Sequence, residues 1–193
     1  MTHASPTRSP ELQDGFTILE LVITLTIAAI LIVIAVPNFN EIIKDNRLST
    51  QINSLSASVN LARSEAVKRN LPVTLCQSSD GSSCAAGWAA SSNGWVVFVN
   101  SNNDNSLDAT EEIVRVGSPL SGDSLLSYSA GILTFTPQGD SPNFSGTFIL
   151  CDDRGAEKAR GLVILPSGLV RLAVDTNNDD IVEDINGNNI ACS

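Results

Sequence analysis

Twenty-one consecutive residues, Phe16 to Val36, read FTILELVITLTIAAILIVIAV and carry one charge, Glu20. As a helix rising about 1.5 Å per residue, the run extends roughly 30 Å, the thickness of a bilayer core. No soluble domain of 193 residues exposes such a segment to water without cost, so it is read as a membrane-spanning helix. A secretory signal peptide fits poorly. The run is long for that role, and Pro37-Asn38-Phe39-Asn40 follows it in place of a small-x-small cleavage site. Glu20 is the informative residue. A carboxylate this far into an apolar helix is costly unless paired or neutralised. The run has no cation of its own, so the partner belongs to another chain or is a new amino terminus made by cleavage.

Gly15-Phe16-Thr17-Ile18-Leu19-Glu20-Leu21 resembles the prepilin peptidase motif of type IV pilins and type II secretion pseudopilins. The resemblance implies a leader over residues 1–15, cut by prepilin peptidase between Gly15 and Phe16, with Phe16 then N-methylated. It implies that Glu20 meets the amino terminus of a neighbouring subunit during assembly, and that Pro37 sits where such helices are kinked. A single pass through the inner membrane, a periplasmic globular part and later entry into a filament follow from the same resemblance. So do the partners: prepilin peptidase, the major pilin and other minor pilins. Flanking charges do not choose an orientation, since Arg8 stands against Glu11 and Asp14 on one side and Lys44 and Arg47 lie on the other.

Beyond the run, Leu48, Ile52, Leu55, Val59, Ala62 and Ala66 recur at helical spacing and form one apolar stripe. The helix is therefore expected to continue to about Asn70, where Leu71-Pro72 ends it. Leu61 to Asn70, LARSEAVKRN, resembles the corresponding segment of the GspH/FimT family of minor pilins and minor pseudopilins. Arg63, Glu65, Lys68 and Arg69 within it are read energetically as the solvated end of a helix, with cations near its C-terminus.

After Asn70 the period becomes strand-like. Val73–Cys76, Gly94–Val99, Glu112–Val116, Ile132–Thr136, Thr147–Cys151, Leu162–Leu165 and Leu169–Val174 are expected strands between Ser, Asn, Gly and Pro loops. The W-x-V-F strand at 95–98, its Asn/Asp-rich loop and the E-x-I-x-R segment at 111–115 also resemble the GspH/FimT family. The expected fold is α+β and pilin-like, a long N-terminal helix packed on antiparallel sheets. The expected divisions are 1–15 leader, 16–37 membrane or filament-core helix, 38–70 amphipathic continuation and 71–193 globular sheet domain.

Four cysteines without a CxxC suggest disulfides and an oxidising compartment. Of three connectivities, Cys76–Cys84 and Cys151–Cys192 are preferred: one closes a local loop, the other ties down the tail, each contributing about 2–4 kcal/mol. Asn100, Asn102, Asp104, Ser106, Asp108 and Glu111 have EF-hand ligand spacing, which makes calcium the one candidate cofactor. Asn at the first position and Asn105 where a glycine is usual depart from that pattern, and Asn and Asp favour plain turns. Asp175, Asn177, Asp179 and Glu183 begin a second such loop, with Asn186 at its last position.

Enzymatic chemistry is not expected. The one histidine, His3, falls in the leader, and there is no phosphate loop or nucleophile elbow. A net charge of −10 argues against nucleic acid as a default partner. A DNA-binding role, associated in the FimT branch with a GRxR-type motif, meets Gly168-Leu169-Val170-Arg171, which lacks the first arginine. The function expected is that of a minor pilin in type IV pilus initiation or at the tip. The rival is a minor pseudopilin of type II secretion, and the two expected disulfides favour the pilus.

Overall fold

The computed structural model describes residues 15–192, so the expected leader lies outside the described residues except for Gly15. The chain forms two compact units, Met1–Ile42 and Ile43–Ser193. Helix α1, Ile18–Arg69, contributes to both.

In the first unit, Thr17 stands just before α1 and its Oγ1 accepts the Glu20 N–H at 3.2 Å. That is the N-cap half of a capping box, with Glu20 at the third helical position. The Thr24 and Thr26 hydroxyls donate to the carbonyls of Leu21 (2.9 Å) and Val22 (2.7 Å). Both are thereby satisfied within the helix and need no water. Apolar side chains from Ile18 to Phe39 stay exposed around the helix, Ile18 at 83% and Val33 at 74%. Among the described residues no helix is long and apolar enough to cross a membrane. The side chains of residues 34, 37 and 38 fall outside that description.

The second unit is built on the apolar stripe of α1. Leu48, Ile52, Leu55, Val59, Ala62 and Ala66 are at most 2% exposed, as their spacing predicts. Asn70 takes a left-handed conformation (φ 54°) that ends the helix, and Leu71-Pro72 leads into the first strand. Eight strands follow: β1 Val73–Ser78, β2 Gly94–Val99, β3 Ile113–Gly117, β4 Leu125–Tyr128, β5 Leu133–Phe135, β6 Gly146–Cys151, β7 Arg160–Ile164 and β8 Val170–Leu172. They form two antiparallel four-stranded sheets, ordered β3-β2-β1-β5 and β4-β6-β7-β8. Seven strands occupy the regions expected; β4, in the Ser- and Gly-rich stretch after Gly117, is additional.

Both sheets turn one face to the stripe. Val73, Leu75, Trp95, Val97, Leu126, Phe148, Leu150 and Leu162 share one core with it, and Tyr128 stacks on Phe148 at 3.8 Å between ring centroids. Their outer faces are covered too. On the first sheet, Cys76, Val96 and Phe98 are capped by Cys84, Leu107 and Ile132. On the second, Cys151 and Ile149 pack with Ile181, Val182 and Ile190 of the C-terminal segment. All residues of β1 and β2 are consequently buried.

A fragment beginning at Asn40 retains the whole buried stripe and is expected to fold alone. In it, Leu55→Ala should cost about 2–5 kcal/mol in urea unfolding under oxidising conditions. An unchanged midpoint would show that the stripe is not the core.

Candidate functional site

Two regions carry the residues singled out by sequence: the start of α1, and its C-terminal end with the loops packed on it. At the start, Gly15 and Glu20 are exposed and Phe16 is 76% exposed. The peptide bond between Gly15 and Phe16 precedes the first helical turn and joins two exposed residues. The cap from Thr17 puts the Glu20 carboxylate in the first turn, the end where the helix dipole favours an anion. Pro37 lies within α1, with its side chain outside the described residues.

At the other end, the expectation of a solvated helix terminus is corrected for three of its four charged residues. Arg69 makes a two-pronged pair with Glu112, Nη1 to Oε2 at 2.7 Å and Nη2 to Oε1 at 2.9 Å. Its Nε donates to Oε2 of Glu65 at 2.6 Å, and Glu65 is buried. Lys68, 73% exposed, reaches Glu65 at 3.2 Å and alone fits the expectation. The hydrogen bond from Arg69 is the main cause that lowers the carboxyl pKa values of both Glu65 and Glu112, and these acceptors, Glu112 first, raise that of Arg69. Arg63 is engaged as well, donating to the carbonyls of Gly139 (2.8 Å) and Ser167 (3.4 Å). Beneath it, a Cβ on Gly168 (φ 75°) would lie 1.9 Å from the Gly139 carbonyl oxygen, so this crossing of two loops requires glycine. The LARSEAVKR segment and the Glu112 region, read separately along the sequence, are thus one charged clamp.

The cysteines pair as Cys76–Cys84 and Cys151–Cys192, with Cα atoms 5.6 and 5.9 Å apart. The calcium expectation does not fit the geometry. Asn100, first in the proposed ligand set, is fully buried and turned inward, its Nδ2 donating to Thr74 Oγ1 (3.0 Å) and Asn105 Oδ1 (3.1 Å). Asn102 Nδ2 bridges Asp104 and Asp108 at 2.9 Å each, and Glu111 accepts the N–H groups of Ser101 and Asp108. The loop closes with its own hydrogen bonds. In the second loop Asp175 and Glu183 likewise accept backbone N–H groups, and Glu183 is buried. Among the described residues no three His, Cys, Asp or Glu side chains are grouped to hold a metal ion. Gly168 and Leu169 follow the turn at 166–167, and Val170 and Arg171 already belong to β8, the edge strand of the second sheet.

Sequence reasoning missed a further clamp near the start of the second unit. Arg154 Nη1 donates to Asp45 at 2.8 Å and its Nη2 to half-buried Asp152 at 2.8 Å, while Lys44 pairs with Asp153 at 2.6 Å. The partners on the helix and in the loop are 109 residues apart, and no local pattern signals them.

A family model described as type II transport protein GspH matches residues 51–168. A second, the prokaryotic N-terminal methylation motif, matches residues 12–36. Among solved structures, the type IV minor pilin FimU of Pseudomonas aeruginosa in one crystal form is similar, with a TM-score of 0.54 and 22% identity over 68% of this chain and 91% of that one. A second crystal form of FimU gives a TM-score of 0.44 and 21% identity, over 66% and 93% of the two chains. The first likeness establishes the shared α+β architecture. No curated protein sequence matches the chain significantly.

The clamp makes a pH prediction. Glu65 and Glu112 titrate below the ordinary glutamate range when folded. Their contribution is complete above the unfolded value, about 4.3, and is lost as pH falls through the lower folded values. Urea midpoints measured from pH 6 to pH 2.5 should fall less steeply for Arg69→Met than for the parent fragment. Parallel curves would remove the pairing from the stability of the fold.

Proposed function

We propose, because the chain belongs to the family of the type II transport protein GspH, that it is a minor pilin acting in the initiation or tip complex of a type IV pilus. Prepilin peptidase removes residues 1–15, Phe16 is N-methylated, and the 16–37 helix anchors the chain in the inner membrane with its globular part in the periplasm. The helix then passes into the core of a filament beside the major pilin and other minor pilins.

The observation that carries this reading is a coincidence. The methylation motif over 12–36 coincides with a helix whose apolar side chains, from Ile18 to Phe39, are exposed around it in the isolated chain. A helix apolar all round requires lipid or other helices as surroundings, and a processed pilin meets both in turn. Cleavage creates an ammonium at Phe16, and Glu20 lies in the first turn of the helix. When a neighbouring ammonium approaches that carboxylate in a low dielectric, the pair is favourable relative to leaving either charge alone. Such a contact sets register more than it adds stability. The second reading, a minor pseudopilin of type II secretion, is favoured by the description of the matching family.

A deletion strain separates the two. Loss of surface pili with normal type II secretion is expected; lost secretion with normal piliation would assign the chain to the secretion system. Complementation with Glu20 variants tests the mechanism. Glu20→Ala should be inserted, cleaved and methylated at Phe16 as usual, yet be missing from sheared pili. Glu20→Gln preserves a capping-box side chain but not the charge, and should be missing too. Normal incorporation of the Gln variant would reduce Glu20 to a helix cap.

A further inference from the structure

We propose that the second unit carries a binding site for a neutral saccharide, in the cavity between the Asn-rich loop after β2 and the turn joining β5 to β6. The inference is independent of how the chain is assembled. The cavity measures about 500 Å³, within the ordinary range of small-molecule sites, about 300–1,000 Å³. The chain has a net charge of −10, yet no charged residue lines this cavity.

Four amide-bearing residues line it, Asn103 and Asn105 on one wall, Gln138 and Asn143 on the other, Asn105 half-buried and the other three exposed at its rim. Asn105 uses its Oδ1 inward, accepting from Asn100 Nδ2 (3.1 Å) and Thr134 Oγ1 (2.9 Å), which aligns its NH₂ as a donor with no protein partner among the described residues. The side chains of Asn103, Gln138 and Asn143 make no hydrogen bond to any described residue. Each amide offers both a donor and an acceptor, the complement of a hydroxyl group. The Thr134 and Thr136 hydroxyls are spent within the walls, donating to Asn105 Oδ1 and Asp140 Oδ1, and Pro137, Pro142 and Phe144 add flat apolar surface suited to the C–H face of a sugar ring. An anionic ligand would need a cation, and the cavity has none. A purely apolar ligand would strip water from the amides without replacing its hydrogen bonds. A neutral ring bearing many hydroxyls satisfies both surfaces.

The walls are held without a ligand. Ser141, fully buried, donates its hydroxyl to the Thr134 carbonyl (2.8 Å) and its N–H to that of Pro166 (2.9 Å). The Thr136 N–H donates to the Asp140 carbonyl at 2.9 Å, and the Tyr128 hydroxyl donates to the Phe144 carbonyl. Behind Asn105, Thr74 and Thr134 share a buried hydrogen bond of 2.8 Å. A site fixed in advance loses little ordering entropy on binding.

The test uses the processed full chain in a detergent without a sugar headgroup. It is applied to an array of neutral oligosaccharides of glucose, galactose, mannose and N-acetylglucosamine, with sialylated and sulfated ones alongside. Titration calorimetry follows with the neutral oligosaccharides retained. Neutral glycans should be retained, and Gln138→Ala/Asn143→Ala, two exposed positions, should weaken binding at least tenfold with an unchanged melting temperature. Retention of no glycan, retention of the acidic ones alone, or equal binding by the double variant would each overturn the assignment.

Discussion

Six small and medium apolar side chains on one face of a helix, Leu48 to Ala66, hold the globular unit together. Fully burying each larger member contributes roughly 1.5–3 kcal/mol, and residues of both sheets share one core with the stripe. The choice of residues follows from that position. Leu and Ile occupy the first part of the stripe and Ala62 and Ala66 the last, while beside them the loops carrying Gly139 and Gly168 meet at Arg63. The polar contacts are secondary in magnitude but set direction. Lys44 and Asp45 reach one loop, Arg63 a second and Arg69 a third, so the sheets cannot slide along the stripe by one turn without breaking charged pairs.

The second dependence is coverage of the outer faces. A four-stranded sheet packed on one helix ordinarily leaves a wet face with alternating residues. Here β1 and β2 are buried throughout, because the loops carrying Cys84 and Leu107 fold back over them. Thr74 faces outward from β1 and is dry, so its hydroxyl needs partners, which Thr134 and Asn100 supply. That requirement turns Asn100 away from the loop surface. Through Asn105 it also shapes one wall of the amide-lined cavity.

Legibility in the sequence followed the range of the interaction. The apolar run, the helical stripe, the end of α1 at Leu71-Pro72 and the strands with strong β-branched content announce themselves within a dozen residues. Strand β4 does not. Leu125-Leu126-Ser127-Tyr128 is four residues long among Gly, Asp and Ser, and is a strand only because β6 pairs with it, Leu126 opposite Leu150. The oxygen-rich spacing from Asn100 to Glu111 read as a ligand set because spacing says nothing of side-chain direction; the buried demand of Thr74 decided it otherwise. Charged residues of LARSEAVKR looked solvated for the same reason. Their partners, Glu112, Gly139 and Ser167, lie 43 to 104 residues away, beyond any local pattern.

The distribution of the clamps along the helix has a mechanical consequence. From Lys44–Asp153 and Asp45–Arg154, through the buried stripe, to Arg63 and Arg69, the attachments are spread over some twenty-five residues, roughly 38 Å of helix axis. A pull along that axis loads them side by side, in shear, so that many must fail together. A pull across it would peel them in succession, beginning at one end. The unit is therefore built to resist tension in the direction of its own helix far better than a sideways tug, and the rate at which force detaches the sheets should depend strongly on where the handle is placed.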